Sequence, residues 1–264
     1  MRKYWTIIKT AWQQNLTWRF TILAYRFGEI TEAMILILLW SAIYQGSSLI
    51  KGYTLQEMIT YVLVGNLFEA MVRNYLTHKI ARDIKDGTLS IFLVKPIKYL
   101  KYMFAKEFGI TILPFLMSCA SQILVISFFL NKIVLNFDFA YLFLIFIMLA
   151  LAYIIELFIS YLVGMIAFWT VEVDGVFATI IKLRKLFSGG YFPISLLPSG
   201  IVSLSMAMPF VYSFYFPMQL YLKKIDLVGG AKGIGLQVTW IIVLYFISNM
   251  IWKKGIKKYE GVGI

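Results

Sequence analysis

Four carboxylates lie inside or at the edge of apolar stretches of this 264-residue chain: Glu29, Glu32, Glu69 and Glu156. Cations stand at helical spacing from some of them. Arg26 precedes Glu29 by one turn, Arg73 follows Glu69 at i, i+4, and Lys182, Arg184 and Lys185 form a short basic interval later in the chain. In hydrocarbon such groups are costly unless they pair with one another or face a wet cavity. The chemistry open to them is ion pairing, or lining a path for a polar solute. Glu29, Glu32, Glu69, Arg26 and Arg73 suit an ion-pair cluster that clamps two helices at a cytosolic mouth. Glu156 falls near the middle of its apolar run, the most expensive position for a carboxylate. Two roles stay open to it: pairing with one of Lys182, Arg184 and Lys185, or lining a translocation path together with them.

Covalent chemistry has little to work with. The one histidine, His78, falls in a polar segment as a solvated or partner-facing residue. The one cysteine, Cys119, lies in an apolar run, so neither a disulfide framework nor a thiolate metal site is available. GGAKGIG at 229–235 has glycines but not the GxxxxGK[ST] spacing of a phosphate loop, and is expected to be an external turn. No site for a cofactor is expected in this chain. An intramembrane protease or acyltransferase would lack its nucleophile or metal cluster.

The elements that position these charges follow from composition. The chain is 61% hydrophobic, with its apolar residues in runs long enough to cross a bilayer, which takes about 20 residues of helix. The class is an all-α polytopic membrane protein. The net charge of +12 comes from basic residues flanking the apolar runs, a distribution that suits topology and anionic lipid and makes nucleic acid a poor partner. Crossings are expected at Thr21–Tyr44, Leu55–Val72, Phe108–Asn131 (with Pro114 as a kink), Phe139–Thr170 and Gly233–Trp252. Residues 1–20 place Tyr4, Ile8, Trp12 and Leu16 on one stripe and read as an interfacial helix. Between 192 and 232 the prolines Pro193, Pro198 and Pro209 break a long uncharged run, which suits an external or re-entrant hairpin covered by protein. The excess of Lys and Arg in the N-terminal segment, the 73–107 interval and the tail puts all three in the cytosol, and parity then requires six crossings. No internal repeat or linker is apparent, so 1–264 reads as one membrane domain.

The 73–107 interval is the most elaborate polar stretch. Thr77–Asp86 has the pattern of a short helix, with Ile80 and Ile84 on one face and Lys79–Asp83 and Arg82–Asp86 at i, i+4. Gly87 is placed to end it in a left-handed cap. Leu89, Ile91, Phe92, Leu93 and Val94 are too apolar for an ordinary loop and must bury against something. Beyond Lys95-Pro96, Lys98 and Lys101 continue the spacing of Lys95 beside Tyr99 and Tyr102, suiting a helix against lipid phosphates.

Taken together, LAYRFGEITEAMILILLWSAIY, IARDIKDGTLSIFLVKPIKYL, LFSGGYFPISLLP and WKKGIKKYEGVGI resemble the permease subunits of ABC-2 type transporters, in the small bacterial exporter branch that includes viologen and antibiotic efflux systems. The likeness touches both ends and the middle of the chain. It implies six helices with an interfacial N-terminal helix and a broken segment after the fifth. It also implies that Ile80, Asp83, Ile84, Asp86, Gly87 and Leu89 belong to a coupling helix seated on a separate ATPase, present in two copies and holding ATP and Mg. A second permease, identical or paralogous, would complete the pair in the bacterial cytoplasmic membrane, with both termini cytosolic. By this resemblance the fifth crossing lies at Asp174–Tyr191; a crossing at Ile201–Leu222 competes with it. Two other functions stay in view: an ion-coupled secondary transporter, which calls for inverted repeats and paired broken helices, and a non-catalytic assembly scaffold.

Overall fold

The computed structural model describes residues 2–170 and 173–259, and all regular elements among them are helical. The C-terminal end of WKKGIKKYEGVGI after Tyr259 lies outside the described residues. In chain order the α-helices are α1 (Arg2–Leu16), α2 (Arg19–Ile43), α3 (Leu55–Val72), α4 (Leu76–Lys85), α5 (Leu89–Leu93), α6 (Tyr99–Phe128), α7 (Phe139–Gly164), α8 (Asp174–Phe187), α9 (Ser199–Met206), α10 (Phe210–Ser213), α11 (Tyr215–Tyr221) and α12 (Leu227–Lys258). Among the described residues, three helical stretches are long and apolar enough to cross a membrane: Tyr99–Phe128, Phe139–Phe168 and Leu227–Lys258.

Several boundaries have a local cause. Thr54 and Glu57 exchange hydrogen bonds in a capping box at the start of α3. Asp138 accepts from the Ala140 amide to open α7, and Asp226 accepts from Gly229 to open α12. Pro198 and Pro209 stand directly before α9 and α10, and Pro193 directly before a 3-10 turn at Ile194–Leu196. A proline has no amide to give a preceding helical turn, so it begins elements here instead of continuing them. The uncharged run is thereby cut into pieces, and Ile201–Leu222 is not one helix.

α7 is the axis of the bundle. Its Met148, Ala152 and Ile155 are fully enclosed, and α3, α4, α10, α11 and α12 pack around it. Gly230 and Gly233 lie within α12 against Leu220, Phe216 and Met148, where a β-carbon would crowd these side chains. The expectation of an external turn at 229–235 is therefore corrected: the capped start at Asp226 and close helix packing keep these glycines helical. α1 is a separate helix, turned at Thr17–Trp18, and it docks on α6 instead of extending α2. Gly109 of α6 has no room for a β-carbon beneath the Ile8 carbonyl, and Asn15 Nδ2 donates to the Ile110 carbonyl at 2.6 Å. The docked face carries Ile8, Ala11 and Asn15, while Trp12 and Leu16 of the expected stripe remain exposed. The basic stretch after Pro96 is not a separate surface helix either, since Tyr99 begins the same α6 that runs to Phe128. Gly109→Val should lift α1 from α6 at a cost of about 1–3 kcal/mol, the usual range for overpacking. Labelling of an Ala11→Cys reporter should rise severalfold, with the remainder of the bundle intact by circular dichroism.

Candidate functional site

The expected charges meet on the structure as two linked groups. In the first, α2 and α3 face each other. Arg26 donates to Glu29 Oε2 at 2.6 Å and also to Ser118 Oγ, which itself donates to Glu29 at 3.0 Å. Arg73 donates to the other oxygen of Glu29 and lies 4.0 Å from Glu69. Arg26 is 5% exposed, so its charge is held almost wholly by Glu29, Ser118 and the Ile22 carbonyl. The second group begins on α8. Lys185 Nζ is 2.6 Å from Glu32 and 3.9 Å from Glu69, over the ring of Tyr191. Arg184 donates to Glu156 Oε2, and Glu156 is 3% exposed. Glu69 thus belongs to both groups and ties α8 to the α2–α3 clamp.

Of the five residues expected in the α2–α3 clamp, Arg26, Glu29, Glu69 and Arg73 meet there, whereas Glu32 pairs with Lys185; sequence reasoning missed a further member, Ser118 of α6. A serine in an uncharged helix carries no signal of this kind. Of the later basic interval, Arg184 and Lys185 take carboxylates, whereas Lys182 is exposed on the outer face of α8.

Between the groups lies a cavity of about 290 Å³, lined by Glu69, Arg73, Glu156, Arg184 and Lys185 and reaching His78 and Thr77 on α4. It has both signs of charge on its walls and opens where α4 meets α7 and α8. His78 is exposed and touches the edge of Phe177, 5.4 Å between centroids.

α4 is fastened beside this cavity. Ile80, Leu76 and Ile84 are buried, and Ile80 lies so close to Gly164 of α7 that no β-carbon fits there. Thr77 Oγ1 donates to the Ser160 carbonyl at 3.2 Å. Neither expected pair within α4 forms. Lys79 reaches instead to Glu107 of α6 at 2.7 Å, and Glu107, which is fully buried, also accepts from the Tyr75 amide at 2.5 Å. Burial pulls the Lys79 ammonium below the ordinary lysine range, with Glu107 opposing the shift. Asp83 accepts from Tyr99 Oη at 2.8 Å and Thr88 Oγ1 at 3.1 Å. A buried carboxylate on a neighbouring helix outbids an exposed i, i+4 partner, because the exposed pair is worth only a few tenths of a kcal/mol, roughly. Gly87 follows the helix at φ +71°, the left-handed cap that its position suggested.

Of the apolar residues after the cap, Leu89 is fully buried, and Phe92 meets Tyr99 edge-on and Tyr102 at a tilt, 5.4 and 4.7 Å between centroids. Ile91, Leu93 and Val94 face outward, so the expectation that all five bury is met only in part within this chain. A five-residue helix can turn only one face to the bundle. Asp86 is exposed beside them.

A family model described as ABC-2 family transporter protein matches residues 30–263, nearly the whole chain. The chain belongs to this ABC-2 family. It is a membrane component of a transporter, a multi-pass protein and not a catalytic subunit. No curated protein matches it. In this ABC-2 permease the Glu156–Arg184 pair should show the asymmetry of a half-buried ion pair. Glu156→Gln leaves Arg184 without its acceptor and should lower stability by about 1–3 kcal/mol, less than a fully buried pair because Arg184 is partly solvated. Adding Arg184→Gln should recover part of that loss. Thermal unfolding in detergent measures both, and a strictly additive double variant would contradict the pairing.

Proposed function

We propose that the chain is the transmembrane permease of an ATP-driven exporter, whose energy comes from a separate pair of ATPase subunits that bind ATP and Mg. The observation that carries this reading is the placement of α4. One side of it is locked to α7 and α6 by Ile80–Gly164, Thr77–Ser160 and Lys79–Glu107. Its end presents Asp86 and the outward Ile91, Leu93 and Val94, with Gly87 buried at the turn between them. A displacement applied there by a soluble partner would travel as a rigid body into α7, within reach of Glu156 and the charged cavity. Ile80, Ile84 and Leu89 act as the buried root of this lever; Asp83 braces it on Tyr99, Asp86 forms its contact end, and Gly87 sets the left-handed turn behind it.

On this reading α2, α3, α6, α7, α8 and α12 are the six crossings. α8, with 14 residues, spans about 21 Å, so the fifth crossing is completed by the irregular stretch after it. The broken pieces α9 to α11, opened by Pro198 and Pro209, then form the external or re-entrant hairpin, with Pro193 at its entry. Both termini and the α4–α5 region face the cytosol of a bacterial cell. The path for substrate efflux lies between this permease and a second, identical or paralogous one, and the charged cavity beside Glu156, Arg184 and Lys185 supplies its inner entrance. Lys182, Glu29, Glu32 and Glu69 set the charge around that entrance.

Asp86→Lys and Gly87→Val should leave expression and insertion intact. Each should cut substrate-stimulated ATP hydrolysis by the companion subunit by about tenfold, the scale of an ordinary coupling free energy. The valine acts by straining a residue at positive φ. The assay is the co-purified complex in proteoliposomes. Undiminished stimulation in both variants, or a gently purified complex with no nucleotide-hydrolysing companion, would refute the proposal.

A further inference from the structure

A second polar cavity, of about 400 Å³, lies where α5, the start of α6 and the end of α12 converge. Its walls carry Lys95, Lys98 and Lys101 and no carboxylate. Among the described residues none of these three lysines forms an ion pair. Lys95 lies over the ring of Phe92, at 5.5 Å. The first turn of α6 opens into the same place with Lys98 ahead of it and no side chain capping its amides. Unsatisfied amides and the positive end of a 30-residue helix dipole favour an anion there.

An independent feature points to the same ligand. Ser248 of α12 lines this cavity, is 1% exposed, and its hydroxyl has no hydrogen-bond partner. A serine in mid-helix ordinarily satisfies itself on the carbonyl four residues back. Here the hydroxyl is left with its donor free, at the edge of a strongly cationic space. Asn249 and Trp252 complete that wall.

The surroundings decide between a soluble phosphate and a lipid. Ile242, Tyr245, Asn249 and Trp252 fall on one stripe of α12, and the stripe leads out of the cavity along an exposed apolar face. Ile242 and Tyr245 are half exposed. A headgroup among the lysines would have its acyl chains laid directly along this face. We infer that the cavity between α5, α6 and α12 binds the phosphate headgroup of an anionic phospholipid, held by Lys95, Lys98, Lys101 and the Ser248 hydroxyl. The site is distinct from the charged cavity at Glu156, and it stands whether or not the exporter reading does.

The test is lipid retention by the intact permease. Protein purified in detergent is exchanged into mixed micelles of phosphatidylglycerol and phosphatidylcholine in equal amounts, and retained lipid is counted by native mass spectrometry. The wild-type chain should retain phosphatidylglycerol selectively. Lys98→Gln with Lys101→Gln should reduce that selectivity by about tenfold or more, since each basic residue near an anionic surface contributes on the order of 1 kcal/mol. Ser248→Ala should reduce it by a smaller factor. Lys257→Gln with Lys258→Gln, in the last turn of α12 just beyond the cavity and not in its walls, should leave it unchanged. Equal retention of both lipids by wild type, or an equal loss in the Lys257/Lys258 control, would overturn the inference. Displacement of the lipid by excess inorganic phosphate would overturn the lipid assignment in favour of a soluble anion.

Discussion

A charge in hydrocarbon must find its opposite, and most of this architecture is arranged so that each one does. Arg26, Glu29, Arg73, Glu69, Lys185 and Glu32 form a chain of alternating sign that runs from α2 through α3 to α8. Removing any link leaves a neighbour partly desolvated and unpaired, which is costlier than never having buried the pair. α8 is short, and it is held at its start by Phe177, fully buried against Ala81 and Val173, and at its last turn by the two basic residues. Its end is fixed further by Gly189 at φ +79°, whose carbonyl accepts from Tyr61 Oη at 2.7 Å. Apolar packing and charge pairing together set where α8 sits, and α8 in turn closes one wall of the cavity at Glu156.

The opposite end of the molecule is held by neutral hydrogen bonds together with exposed ion pairs. Tyr53 donates to Gln219 at 3.1 Å and accepts from Gln219 Nε2 at 2.9 Å, and its hydroxyl is 3.1 Å from Ser195. Lys224 pairs with Glu57 at 2.5 Å. Gln237, in the middle of α12, donates from one amide nitrogen to both the Met148 and Tyr212 carbonyls, joining α12, α7 and α10. These contacts pull the broken α9–α11 segment onto the bundle, where its irregular backbone is covered by protein. The two ends thus differ in proportion: a connected chain of ion pairs at one, and packed neutral amides and hydroxyls beside the Lys224–Glu57 pair at the other.

Between them α7 transmits position. Its glycine at 164 admits Ile80, and the following turn packs Phe168 against Gly255 of α12 so closely that neither position tolerates a β-carbon. Contacts without slack of this sort move together. α4, α7 and α12 are thus closely packed on one another, and the same α12 carries Ser248 and Trp252 of the cationic cavity.

The sequence by itself determined the class, the family and the starts of α3 and α7. Apolar run length, capping residues and prolines are local or one-dimensional signals, and α3 begins and ends at the residues its pattern indicates. The left-handed Gly87 and the pairs within each helix of the α2–α3 clamp were legible for the same reason: i, i+3 and i, i+4 spacing put Arg26 with Glu29 and Arg73 with Glu69 before any fold was known, while Glu32 went to Lys185. Partners across helices were not legible. Lys79 choosing Glu107 over Asp83, Glu156 choosing Arg184 among three cations, Ser118 joining the clamp, and the helical fate of 229–235 all depend on which faces meet. Burial sets those choices by raising the cost of an unpaired charge, and burial exists only once the helices are packed.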